Sequence, residues 1–277
     1  MTSVAGADGG LEISDLMAAF GSAGVTTFRY PGGTVTETVV DVAPYGEPVV
    51  IEPTEFVRED GSIVQITNVA DFFTAARLHF AGTGADPQIT FVVPTSGAYS
   101  GDPAPLTHDG TIDVGRPINE AFIQDAVGYV RYAIQQAFAN GITIHQFELG
   151  NEFFVPGAGN MTAREYGVVA GRLMQALVNL FKEPEISAIL DIWDDRNDFI
   201  VQGVHHSAGG NFNSDWANVS IMQGLLDVDM DNDVVGHING FDPPPPEWSS
   251  AMFRKMEETH GKQATEARRD CHEVTAG

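Results

Sequence analysis

The chain has 277 residues, 43% of them hydrophobic, and acidic residues outnumber basic ones 38 to 14, which gives a formal net charge of −24 at pH 7. That length buries a full core and suits one catalytic domain, while so negative a surface repels phosphate backbones and anionic headgroups, so neither nucleic acid nor a membrane is expected as a partner. Cys271 is the only cysteine, which excludes an intrachain disulfide and a thiolate zinc cluster.

Residues 1–16 contain neither a basic nor an apolar segment of the Sec-type signal kind, and no run reaches the roughly 18 apolar residues of a membrane span. The acidic composition suits an extracellular or salty setting, with a cytoplasmic location as the alternative. Residues 11–20 carry apolar positions at helical spacing and meet Gly21 and Gly24, a helix and its stop. Residues 25–30 are β-branched and aromatic and end at Pro31-Gly32-Gly33, a strand followed by a tight turn. This leaves Arg29 at the strand end, where a guanidinium can brace a carboxylate; taken alone it is a surface arginine beside a Pro-Gly turn.

Residues 35–66 are irregular, with a hairpin signal at Asp60-Gly61, and read as an insertion in a βα loop. Asn68 is the expected cap of a helix, with Asp71 three residues on, Val69, Phe72, Phe73, Ala76 and Phe80 on the apolar side, and Gly82 and Gly84 closing it. Residues 89–94 form a nearly continuous apolar strand of the kind buried on both faces. Residues 95–117, rich in Gly, Pro, Ser and Asp, form a loop long enough to shape a cleft.

The clearest helix spans 120–139 and stops at Asn140-Gly141. The strand 142–149 follows, then breaks at Gly150 and places Asn151 and Glu152 just past its C-terminal end. Thr162 and Glu165 form a capping box before a helix that Pro184 is expected to end. Of two apolar pieces in 186–204, the second, ending at His205-His206, better resembles a strand. Residues 216–226 read as a helix and 234–241 as a strand.

Strands alternating with helices imply a parallel α/β fold. Strands are expected near 25–30, 89–94, 142–149, 199–204 and 234–241, which is five where an eight-stranded (β/α)8 barrel of TIM type needs eight. The chain is therefore expected to hold an incomplete barrel domain over residues 1–246. Residues 247–277 differ in kind: they carry 5 basic and 6 acidic residues, against 9 and 32 before them, and read as a tail.

Retaining glycosidases need two carboxyl groups about 5–5.5 Å apart, one shuttling a proton and one attacking the anomeric carbon. The proton donor needs an apolar, water-poor setting, which Phe153 and Phe154 beside Glu152 are expected to supply. Glu148, two residues inside the strand, reads as a buried structural ion. Asp227, Asp229, Asp231 and Asp233 alternate like the start of a calcium loop, but Asn232 and Ile238 stand where an EF-hand needs Gly and Glu, so a solvated acidic loop is the better reading. No nucleotide-binding fingerprint is present, and neither metal nor cofactor is expected.

Asn151-Glu152 after an apolar strand, with Arg29-Tyr30-Pro31-Gly32-Gly33 at an upstream strand end, resembles the clan A retaining glycoside hydrolases, in particular their arabinofuranosidase, β-xylosidase and heparanase-like families. The resemblance covers roughly residues 11–245. It implies a (β/α)8 barrel with a carbohydrate substrate, Glu152 as acid/base at the end of strand 4, Asn151 on the hydroxyl next to the anomeric carbon, and Arg29 at the end of strand 2 supporting the nucleophile. His237, where strand 6 ends, becomes a substrate-contact candidate; His205-His206 is equally a solvated pair or a functional one. The families' nucleophile is a glutamate ending strand 7. The one late Thr-Glu pair here, Thr265-Glu266, sits in a helix-like or coil-like context, so that role is transferred to no residue. A carbohydrate-binding or inactive relative without the nucleophile is the alternative.

Overall fold

The computed structural model describes residues 2–3, 23–33, 35–38, 54–57, 63–81, 87–101, 116–153, 161–193, 199–202 and parts of 220–228. In chain order the elements are β1 (Thr2–Ser3), β2 (Thr27–Tyr30), α1 (Val35–Thr38), β3 (Thr54–Val57), β4 (Ile63–Ile66), α2 (Val69–Phe80) and β5 (Gln88–Val93). A short 3-10 turn, Ser96–Ala98, precedes α3 (Glu120–Ala139), β6 (Ile144–Leu149), α4 (Ala163–Phe181), α5 (Pro184–Leu190) and β7 (Phe199–Val201).

Four strands, β2, β5, β6 and β7, pair in parallel in that spatial order, which is also their order in the chain. The protein is thus α/β, with a helix in each crossover. The expected hairpin is present as β3 paired antiparallel with β4, from Thr54 opposite Ile66 to Val57 opposite Ile63, and β1 adds to its other side. The segment expected to be irregular also contains α1. The strand expected at 234–241, the helix at 11–20 and the tail 247–277 lie outside the described residues.

The two faces of the parallel sheet differ in chemistry, because successive side chains of a strand point to opposite faces. One face carries Phe28 and Tyr30, then Ile89, Phe91 and Val93, then Phe147 and Leu149, and these join the core under the helices. Each β/α unit there is closed by an aromatic pair: Tyr30 stacks on Phe72 of α2 at 4.2 Å, Phe91 meets Tyr129 of α3 at 5.0 Å, and Phe147 meets Phe181 of α4 at 5.3 Å. Contacts of this kind contribute about 0.5–1.5 kcal/mol each beyond area burial.

The alternate positions are Arg29, Thr90 and Val92, Gln146 and Glu148. Thr90 donates its hydroxyl to Gln146 at 3.1 Å, and Arg29 pairs with Glu148. The sheet's second face is therefore largely polar, although Val92 is fully buried there. For β5 the expectation of burial on both faces holds at its C-terminal half, where Phe91, Val92 and Val93 are all buried.

The helix starts follow local chemistry. Asn68 accepts the Asp71 N–H at 2.8 Å, and Thr162 and Glu165 bond each other's backbone N–H groups reciprocally at 3.2 and 2.9 Å. Each such cap satisfies an otherwise orphaned donor, an effect of about 1 kcal/mol. Pro184 does not end α4, which stops at Phe181; it is the first residue of α5, where its fixed φ suits a helix start and its missing N–H costs nothing. The first apolar piece of 186–204 is thus the helix α5, and the second is the strand β7.

Candidate functional site

The C-terminal ends of the four parallel strands converge on one hydrogen-bond network. Its base is Glu148 in β6, whose carboxylate receives Arg29 Nη2 at 2.8 Å as well as Arg29 Nε, and receives the Gln202 side-chain amide at 2.5 Å. Glu148 is buried, whereas Arg29 lies at the surface with 35% of its side chain exposed. The expectation that Glu148 is a buried structural ion agrees with this pairing.

Gly150 turns the chain out of the strand. Its N–H continues the ladder to Val93 O at 2.7 Å with φ +77°, and a Cβ there would stand 2.8 Å from Thr95 Oγ1 and 3.1 Å from Tyr166 Cε2. Only glycine meets both the conformation and the space. Tyr166 of α4 supports the same corner: its hydroxyl donates to Leu149 O and accepts the Gln202 N–H at 2.9 Å. Burial pushes that phenol's pKa well up, so it remains a neutral donor.

Asn151 is buried and held at two points. Its N–H donates to Glu37 Oε1 at 2.7 Å, and its side-chain oxygen accepts Arg29 Nη2 at 2.9 Å. Its side-chain nitrogen Nδ2 is buried with no hydrogen-bond partner. Such orphaned donors are rare in folded proteins and call for an explanation. Glu152 follows, exposed, with φ +47°, and it is the only non-glycine residue of positive φ among the described residues. Its N–H donates to Gln202 Oε1 at 2.8 Å. Phe153 turns inward and stacks on Tyr166 at 4.4 Å, so the apolar shield expected from it beside Glu152 is not formed; its ring belongs to the core.

Glu37, in α1, was not singled out by its local pattern, yet it is the most enclosed carboxylate of the network. It accepts the N–H groups of Thr95 at 2.8 Å and Ser96 at 2.7 Å, the Thr95 hydroxyl at 3.1 Å, and the Asn151 N–H already described. Desolvation pushes its carboxyl above the ordinary carboxylate range, and the four donors pull in the opposite direction without cancelling that rise. Gln202 was equally unmarked. Glu37 lies within the segment that reads as irregular, and Gln202 is one polar residue at a strand end, so neither bears a distinguishing local signal.

The structure brings three of the predicted residues, Arg29, Asn151 and Glu152, to one end of the sheet. Arg29 is engaged by Glu148 and Asn151. His237, His205 and His206 lie outside the described residues. Among the described residues no group of three His, Cys, Asp or Glu side chains is placed to hold a metal ion, and no helix is long and apolar enough to cross a membrane. A separate groove of about 270 Å³ lies between α3 and α4, bordered by the ion pairs Arg131–Glu183 and Arg172–Glu120; it belongs to the helical layer, not to the strand ends. Comparison of the chain with protein-family models, with curated proteins and with solved structures finds no match.

Proposed function

We propose that the chain is a glycoside hydrolase of the clan A retaining type, acting on a polysaccharide or oligosaccharide outside the cell, with its described strands forming part of a (β/α)8 barrel. The strand order supports the barrel: consecutive parallel neighbours suit a singly wound barrel, whereas a doubly wound sheet reverses at a switch point. A polar inner face with the candidate site at the strands' C-terminal ends suits it too.

The observation that carries the reading is Asn151. Its oxygen is fixed by Arg29 while its Nδ2 is buried without a partner, beside an exposed carboxylate on Glu152. An immobilised amide with one unused donor suits a sugar hydroxyl, and the next residue then stands over the glycosidic oxygen. In this reading Glu152 donates the proton to the leaving oxygen and later takes one from water, and His237 contacts the substrate. The nucleophilic carboxylate is a residue outside those described.

A second reading, a carbohydrate-binding relative without turnover, has one observation in its favour. Glu37 and Glu148, the two other carboxylates tied to this strand-end network, are both engaged by donors, so neither is available to attack. Hydrolysis of aryl arabinofuranosides, xylosides and glucuronides by wild type and Glu152→Gln separates the two. The hydrolase reading expects turnover in wild type and a loss of about 10²-fold or more in Glu152→Gln. Sugar binding without turnover in either chain supports the second reading, and turnover that survives the substitution removes Glu152 from the mechanism.

A further inference from the structure

We propose that Glu37 is a positioning residue whose carboxylate clamps the ends of β5 and β6 in the arrangement that presents Asn151 and Glu152. The clamp itself is independent of the proposed function, and only its catalytic consequence rests on the hydrolase reading.

The geometry is specific. The turn that ends β2 runs straight into α1, with the Thr36 N–H bonded to Gly33 O at 3.0 Å, and this swings Glu37 across the neighbouring strand ends. Oε1 then takes the Asn151 N–H and the Thr95 hydroxyl, and Oε2 takes the Thr95 and Ser96 N–H groups. The backbone of Glu37 is fastened in return, since the Ser96 hydroxyl donates to its carbonyl oxygen at 2.7 Å. One side chain thereby joins the end of β2 to those of β5 and β6. Both oxygens of Glu37 are occupied by these donors, so it acts through the residues it holds and not on a substrate itself.

The chemistry of the four partners dictates the residue type. Three are backbone N–H groups that can only donate, so both oxygens of the side chain must accept. A glutamine of the same length turns an NH₂ toward at least one of these donors, leaving buried groups unpaired. Asn151 is then fastened only through Arg29, and the direction of its Nδ2 is no longer fixed.

In the full-length chain, residue-resolved amide hydrogen exchange is expected to show Asn151, Thr95 and Ser96 exchanging about ten-fold or more faster in Glu37→Gln than in wild type, with Phe91 and Phe147 unchanged. Glu37→Asp keeps two acceptor oxygens on a shorter arm and recovers part of that protection. On the aryl glycosides, kcat of Glu37→Gln falls about ten- to hundred-fold while KM changes little. Unchanged protection in Glu37→Gln overturns the proposal whatever the activity, and lost protection with unchanged kcat overturns the positioning role. Lost protection in a chain whose wild type hydrolyses no glycoside supports the clamp and overturns the hydrolase reading. Should Glu37→Gln not fold, Ser96→Ala cuts only the hydroxyl bond to the Glu37 carbonyl; faster exchange at the same amides then supports the clamp, and none overturns it.

Discussion

The side chain of Gln202 accepts the backbone N–H of Glu152 at 2.8 Å, reaching from the end of β7 to the turn after β6. The same side chain donates to Glu148 through its amide nitrogen. Gln202 therefore couples the left-handed backbone of the candidate acid/base to the ion pair beneath it, and its two functions can be separated by substitution. Gln202→Ala removes both contacts at an exposed N–H and an already paired carboxylate, so a stability loss of only about 1 kcal/mol is expected. Gln202→Glu keeps an acceptor for Glu152 but sets a second carboxylate against Glu148, and is expected to be the less stable of the two. Urea unfolding of both variants tests the order, and Gln202→Glu equal to or above Gln202→Ala would contradict the pairing with Glu148.

Glu152 holds a φ of +47° that side chains other than glycine adopt at a cost. Glu152→Gly is expected to raise stability by up to about 1 kcal/mol, less the added entropy of the unfolded chain. Under the hydrolase function proposed above, the same variant loses glycosidase turnover. A rise in the urea midpoint at constant slope, measured alongside activity, reveals this opposition. A fall in stability would show instead that the Glu152 side chain anchors the turn.

The backbones of α4 and the 220–228 segment approach so closely that a Cβ on Gly167 would lie 2.1 Å from Ile221 O, and one on Gly224 would lie 2.1 Å from Arg164 O. Both obstacles are backbone atoms that cannot swing aside. Gly167→Ala and Gly224→Ala are each expected to destabilise by more than about 2 kcal/mol despite alanine's better helix propensity. Gly171→Ala meets chiefly the Val228 side chain, at 2.9 Å, with the nearest backbone atom, Leu225 O, at an ordinary 3.5 Å, and is expected to cost less. Thermal unfolding of the three variants ranks them, and a neutral Gly167→Ala would separate the two backbones.

Glu165 joins the α4 capping box to Arg116, which bonds it at 2.9 and 3.0 Å and lies over the Tyr99 ring. Burial pushes its carboxyl up, but the Arg116 bonds and the Thr162 N–H outweigh this and hold its pKa below the usual carboxylate value. A depressed folded-state pKa means the anion stabilises the fold above the unfolded pKa near 4.3, and that stabilisation fades as pH falls through the folded value. Wild type is therefore expected to exceed Glu165→Gln in stability at pH 7 and to lose that advantage below about pH 4. A gap that is constant from pH 7 to pH 3 would sink this assignment.

Local pattern identified most of the described elements. Asn68, Asn140 and Thr162 with Glu165 delimit their helices because caps and apolar spacing act within a few residues. The strands ending near Arg29 and Asn151 were legible for the same reason, and so was the end of the sheet on which chemistry should sit. Pro184 misled because a proline excluded from one helix's interior is equally suited to the first turn of the next. Phe153 misled because adjacency in sequence to Glu152 does not place its ring on the same side of the turn.

What the sequence by itself determined was an acidic α/β chain with Arg29, Asn151 and Glu152 at strand ends. Which groups hold those residues was decided only by tertiary structure. Glu37 reaches Asn151 across 114 positions, Arg29 reaches Glu148 across 119, and Gln202 reaches Glu152 across 50. A hydrogen bond depends on atoms meeting within about 3 Å, and for residues so far apart that meeting is set by the order of the strands in the sheet. The turn after β6 supplies the exposed carboxylate of Glu152 and the buried amide of Asn151, while Glu37, Arg29 and Gln202 hold them in place.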